Sequence, residues 1–208
     1  MSNTKITLAV IGILALFLFI GGCSVRNGII EKSNAVDKAW SDVNSAYQRR
    51  LDLIPNLVNT VKGYAAHESE TLQAVTDARV GLKSAYDEAQ AQVEGSQGVT
   101  PAYMEAQSDL NRRLGLYINA VHEAYPDLKA NQNFLDLQTQ LEGTENRINT
   151  ARNDYNTAIM EYNNSIMKFP ASLVAWGFDK RQGFEADRAA SKAPTVDFTG
   201  NAPAVNDF

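Results

Sequence analysis

Between Gly28 and Ile54, apolar side chains fall at Ile29, Val36, Trp40, Val43, Tyr47, Leu51 and Ile54, in steps of three, four and seven. These steps put all of them on one face of an α-helix, which turns once in about 3.6 residues. The same spacing returns at Leu57, Val61, Tyr64, Leu72, Val75, Leu82 and Tyr86. It returns again at Met104, Leu110, Leu114, Tyr117, Val121 and Ala124, and finally at Phe134, Leu137, Leu141, Ile148, Tyr155, Ile159, Tyr162 and Ile166. No strand-like alternation of useful length and no internal repeat breaks the pattern. The expected fold class is all-α, a long antiparallel bundle of about four helices.

Prolines and glycines punctuate the stripes. Pro55 lacks an amide hydrogen and restricts Ile54, which predicts that the rod kinks there or restarts with Pro55 in the first turn, making a corner near Asp52 to Asn56. Gly95-Ser96-Gln97-Gly98 ends the next segment, and Thr100-Pro101 reads as an N-cap with proline in the first turn. A loop between antiparallel helices is predicted there. Tyr125-Pro126 stops the third helix, and Asp127 to Ala130 links it to a fourth of about 38 residues, about 57 Å long at 1.5 Å per residue. Phe169-Pro170 closes that helix. Beyond it, Leu173, Val174, Trp176 and Phe178 are too apolar to be left in water and are expected to pack on the bundle end, with a short helix over Gly183 to Ala190. From Pro194 onward Gly, Asn, Pro and Asp dominate, the composition of an irregular tail.

The amino terminus is of another kind. Residues Ile6 to Ile20 carry no charge, and the uncharged run reaches 20 residues when extended to Val25. A signal-peptide core spans about 7 to 15 apolar residues and a membrane-spanning helix about 17 to 25, so length admits both. Ile20-Gly21-Gly22-Cys23 resembles the bacterial lipobox, in which the cysteine is diacylated and becomes the new terminus, and Cys23 is the lipidation candidate. Two acyl chains anchor stably where one does not. An uncleaved helix is the alternative: Arg26, Lys32 and Lys38 outnumber Lys5, which favours a cytoplasmic domain on a single span. The expected organisation is an anchor over 1–25, a helical domain over 26–192 and a tail over 193–208.

Charge and chemistry narrow the function classes. Lys5 is the one charged residue in 1–23, so the remainder carries 18 Lys+Arg against 24 Asp+Glu, a formal charge of −6. That balance argues against nucleic acid as a partner. The single cysteine precludes an intramolecular disulfide. His67-Glu68 with Glu70 suggests a metal pair, but the helical HExxH arrangement needs a second histidine at 71, where Thr71 stands. Glu142, Glu145 and Glu161 lack the Glu-x-x-His partners of di-iron bundles. No catalytic, cofactor-binding or metal-ligating set is expected, and the chain is read as a non-enzyme without a cofactor.

Polar residues that interrupt or flank the stripes carry more information: Arg49, Arg50, Asp52, Asn56, Glu68, Arg79, Glu145, Arg147 and Arg152. Charges near a core cost several kcal/mol each to desolvate unless partners compensate, so these residues are candidates for a buried structural network. Their functional reading is a polar groove for a partner helix or peptide.

Ala39-Trp40-Ser41-Asp42-Val43 and the run YQRRLDLIPNLVNTVKGYAAHE from Tyr47 to Glu68 closely resemble the LemA family. So do the run from Tyr125 through Asn131 to Phe134, Gly143-Thr144-Glu145-Asn146-Arg147-Ile148, Ala151-Arg152 with Tyr155-Asn156, Tyr162-Asn163 and Phe169-Pro170. The resemblance implies a helical, membrane-associated bacterial protein with an amino-terminal anchor and a long antiparallel core, of biochemical role not established, and it carries over no catalytic residues. Cys23 departs from the uncleaved anchors of many members, and Thr199 to Phe208 extends past the usual end of the pattern. The expected function is a membrane-anchored, non-enzymatic scaffold or interaction protein of the bacterial cell envelope, with membrane lipid and other proteins as partners. The alternatives are an accessory or component of an envelope hydrolase using Glu68 and Glu145, or a small-ligand sensor.

Overall fold

The computed structural model describes residues 3–65, 73–95 and 98–184. Among them four helices follow one another, α1 (Asn3–Ala65), α2 (Gln73–Gly95), α3 (Pro101–Ala124) and α4 (Gln132–Met167), with short 3-10 turns at Pro126–Ala130 and Ala171–Leu173 and no strand. This is the all-α architecture that the stripes predict. Neighbours run antiparallel: the Ala89 carbonyl of α2 accepts from Gln107 of α3, while Lys32 and Arg50 of α1 meet Glu161 and Glu145 of α4.

The 63 residues of α1 make a rod about 95 Å long. Its first part has large apolar side chains on every side, from Leu8 to Ile20, all half or more exposed. That stretch is long and apolar enough to cross a membrane and is compatible with a membrane anchor. No helical break separates it from the domain, since α1 passes through Val25 and Arg26 unchanged.

The corner predicted at Asp52 to Asn56 does not form, because Pro55 lies inside α1. An interior proline forfeits the bond to the residue-51 carbonyl and costs about 3 kcal/mol. Burial of Leu51, Leu53, Ile54 and Leu57 on both sides of it offsets that cost. Helix α1 runs on to Ala65 and α2 starts at Gln73, so the second predicted stripe is divided between α1 and α2. Glu68, His67 and Glu70 fall outside the described residues.

Other boundaries follow local chemistry. Thr100 Oγ1 accepts the Tyr103 amide at 3.0 Å with Pro101 in the first turn, and Asn131 Oδ1 accepts the Phe134 amide at 3.3 Å. Helix α3 ends before Tyr125-Pro126, and the 36 residues of α4 end before Phe169-Pro170. The α3 stripe begins at Tyr103, which is fully buried, rather than at the expected Met104.

The apolar interior forms two clusters. One holds Leu51, Leu57, Leu82, Leu110, Leu114, Val121, Phe134 and Leu141, drawn from all four helices. The other, nearer the apolar terminus, holds Ile29, Val36, Trp40, Val43, Tyr47, Tyr103, Ile148, Tyr155, Ile159, Tyr162 and Phe184. Among the described residues of the α2–α3 hairpin, only Tyr103 is a fully buried member of this second cluster; below it α1 and α4 continue as a pair. The chain after α4 folds back over that pair as an irregular strap. Within it Val174 and Phe178 are half-buried as expected, but Leu173 and Trp176 stay 71% and 75% exposed. Gly183 and Phe184 are not helical, and the rest of the short helix predicted to Ala190 lies outside the described residues.

Candidate functional site

A polar layer lies between the two apolar clusters. Arg50 is 2% exposed, flanked along α1 by Tyr47 of one cluster and Leu51 of the other. Its Nη2 donates to Gln107 Oε1 at 2.6 Å and its Nη1 to Glu145 Oε2 at 3.2 Å, while the guanidinium lies 5.0 Å from the Tyr47 ring centroid. Gln107 Nε2 donates to the Ala89 carbonyl at 3.4 Å. Side chains from α1, α3 and α4 and a carbonyl from α2 thus meet at one level. A buried guanidinium with three directed contacts admits one axial register of four helices, whereas an apolar layer would tolerate slippage.

Arg50 and Glu145 are the sequence candidates that the structure joins across helices, while Asn56 Nδ2 donates to the Asp52 carbonyl at 3.4 Å within α1. Arg79 is half-buried beside Tyr117, and Arg152 stacks on Phe184 at 4.7 Å. Arg49, Asp52, Asn56 and Arg147 are solvent-exposed and take no part in the buried layer. Helix geometry explains this: Arg49 and Asp52 lie about 100° and 200° around α1 from Arg50. Gln107 and Thr144, both buried, were missed. Gln107 was detectable as the polar member of Tyr103-Gln107-Leu110, at helical spacing; Thr144 returns its hydroxyl to the Gln140 carbonyl at 2.7 Å and gave no such signal.

Asp52 and Arg49 instead line an open groove of about 1160 Å³ on the outer side of α1. One wall is the α1 stripe Ser41, Asn44, Ser45, Gln48 and Asp52; the opposite side includes Val93, Gly98, Val99, Arg181 and Gln182, with Trp40 and Tyr155 below. Asn44 Oδ1 accepts the Tyr103 hydroxyl at 3.0 Å, and Gln48 Nε2 donates to Asp52 Oδ1 at 2.9 Å. Burial pushes the Tyr103, Tyr47 and Tyr155 phenols up, so all three are neutral near neutrality. The groove therefore offers neutral hydrogen-bonding groups together with two carboxylates, Asp37 and Asp52, and two guanidiniums, Arg49 and Arg181, of which Asp37 and Arg181 pair with each other.

The strap that closes one end of the groove is held through its backbone. Asn163 accepts the Arg181 amide at 3.0 Å and donates to the Arg181 carbonyl at 2.9 Å; Asn156 does the same for Phe184 at 2.8 and 3.1 Å. The Tyr162 hydroxyl donates to the Asp179 carbonyl at 3.0 Å. Arg181 pairs with Asp37 and donates to Ser33 Oγ at 2.9 Å, tying the strap to α1. Asn156 and Asn163, two turns apart on α4, clamp main chain as a peptide-binding surface would. Among the described residues no group of three or more His, Cys, Asp or Glu stands together as a metal site. Cys23 is exposed on α1.

Comparison with known proteins places these features. Residues 39–198 match the sequence profile of the LemA family. Over 132 residues the chain is 27% identical to Protein LemA of Metamycoplasma hominis, covering 64% of this chain and 53% of that protein. The chain thus spans about half the length of the curated relative it matches.

Proposed function

Since the chain belongs to the LemA family, we propose that it is a membrane-anchored, non-enzymatic interaction protein of the bacterial cell envelope, which presents a helical bundle to polypeptide partners. The observation that carries this reading is the continuity of α1, whose amino-terminal part is apolar on every side and whose later part supplies one wall of the polar groove. Anchor and groove share one rod, so a partner in the groove is held at a set distance from the bilayer. The groove's amides, hydroxyls and opposite charges suit a peptide of mixed polarity. The asparagine clamps on the strap supply the precedent within this molecule.

Photo-crosslinking in cells tests the reading. A benzophenone side chain at Ser41 or Gln48 should capture a polypeptide partner, and the charge inversions Arg49→Glu and Asp52→Lys should abolish that adduct. Monomer alone, under conditions that trap known envelope complexes, overturns it.

Two anchoring modes fit the same rod. Acylation at Cys23 places the bundle outside the cytoplasm, and Ile20-Gly21-Gly22-Cys23 supports it. The second mode, a single span with a cytoplasmic domain, is supported by Arg26, Lys32 and Lys38 just beyond the apolar stretch. Labelling with a fatty-acid analogue, compared with Cys23→Ala, separates them: label lost in the variant means acylation at Cys23, and equal labelling, or none in either, overturns it.

A further inference from the structure

We propose that the loop after α4 is a second membrane-contacting element, which seats Phe169, Leu173 and Trp176 in the lipid interface beside the anchor. The proposal rests on the anchored reading above. These three side chains are 80%, 71% and 75% exposed, although they lie within eight residues of one another. Their exposure is not that of a loose loop. The Arg26 guanidinium donates to the carbonyls of Val174 and Trp176 at 3.0 and 3.1 Å, and it stacks on the Trp176 and Phe178 rings at 4.4 and 4.8 Å. Ala171, Ala175 and Phe178 pack inward on the cluster that contains Ile29 and Ile166. One side of the loop is thereby fastened to the bundle, and the apolar side chains project from the other.

What covers them follows from their level along α1. A Cβ on Gly22 would lie 3.6 Å from Val174 Cγ1, so the loop touches α1 within the uncharged stretch that ends at Val25. That stretch of 20 residues rises about 30 Å, the hydrocarbon thickness of a bilayer. When it spans, Gly22 to Val25 lie at the boundary, and a loop in van der Waals contact with Gly22 lies there as well. Trp and Phe are favoured at this depth, because the rings displace headgroup water while the indole N–H keeps a polar partner. Lys168, adjoining Phe169, and Arg26 are the first cations at that level and suit lipid phosphate. Acylation at Cys23 would remove Gly22 with the residues before it, yet the acyl chains would enter the bilayer three residues from Arg26, so the loop that Arg26 holds stays at the same level. The occupant is a lipid surface, continuous with the surface that receives the anchor.

The test uses the full chain in vesicles of phosphatidylcholine and phosphatidylglycerol. A Trp40→Phe background leaves Trp176 as the only tryptophan. With lipids brominated near the carbonyl, Trp176 emission should shift to the blue and lose most of its intensity, while aqueous iodide quenches it weakly. A Leu14→Trp reporter, in a Trp40→Phe and Trp176→Phe background, reads the anchor separately and should be quenched by lipids brominated deep in the chain. A nitroxide at Leu173→Cys, in a Cys23→Ala background that retains Trp40, should collide more with oxygen than with a water-soluble nickel chelate and guards against misfolding of the Trp40 variant. Deep quenching at position 14 with a water-accessible Trp176 and nitroxide overturns the interfacial loop and leaves the anchor intact. A water-accessible position 14 overturns both. Spin–spin coupling between two labelled copies, in place of lipid contact, assigns the patch to a second copy of this chain and likewise overturns the proposal.

Discussion

At the residue scale, Arg50 illustrates how one charge specifies an arrangement that apolar contacts leave degenerate. Arg50→Ala strands Gln107 Oε1 and empties a packed site, and it should cost about 3 kcal/mol in urea unfolding. Glu145→Ala should cost at least as much, about 3 kcal/mol, because it leaves the buried Arg50 guanidinium without its carboxylate and Nη1, like Nε, without an acceptor, whereas the partly exposed Glu145 left by Arg50→Ala can turn to water. Equal stability of both variants to the parent would remove the layer from the account of register. Tyr117 makes the opposite case. It is 1% exposed, its hydroxyl has no hydrogen-bond partner among the described residues, and burial pushes its pKa up to about 12. Between pH 10 and about 12 the unfolded chain releases this proton and the folded one keeps it, so stability falls as pH rises through that window. Tyr117→Phe should gain about 1 kcal/mol near neutrality by removing an unsatisfied buried hydroxyl. It should also flatten part of the alkaline decline, as thermal unfolding measured from pH 8 upward will report. Sequence marked Arg50 and Glu145 as polar residues near a core, but could not distinguish them from Arg49 or Arg147. A rotation of about 100° per residue separates burial from exposure, and the packed neighbours decide which rotation faces inward.

At the element scale, helix ends were legible wherever the signal was local. Thr100-Pro101 and Asn131 cap their helices through their own side chains, a geometry confined to a few residues. Pro55 was misread because its effect is a balance: the lost bond is local, but the burial of Leu51, Leu53 and Leu57 around it depends on side chains from α2, α3 and α4. The strap was equally hidden, since irregular backbone acquires its conformation from partners far away in sequence. Asn163→Ala removes both bonds to Arg181 and should loosen the strap without unfolding the bundle. Amide exchange at Arg181 should accelerate by one to two orders of magnitude, for about 1–3 kcal/mol of lost local protection. Exchange should be unchanged in the α2–α3 hairpin. Acceleration spread evenly over the whole chain would mean that the strap belongs to the main cooperative unit.

For the whole molecule, the two apolar clusters share α1 and α4 as continuous rods, and the Arg50 layer bridges them rather than dividing them. Leu57→Ala in one cluster and Ile148→Ala in the other should each cost about 2–5 kcal/mol and shift a single common unfolding transition. Two resolved transitions, each moved by one variant only, would make the clusters independent units. The amino-acid sequence by itself determined the all-α class, the apolar terminus and most helix boundaries, because periodicity, capping and charge exclusion are properties of short stretches. Tertiary structure alone decided which polar residues enter the core, that α1 passes Pro55 unbroken, and that Leu173 and Trp176 face outward beside Gly22. Each of those outcomes depends on side chains brought together from distant positions, and a residue's environment is not written in its neighbours along the chain.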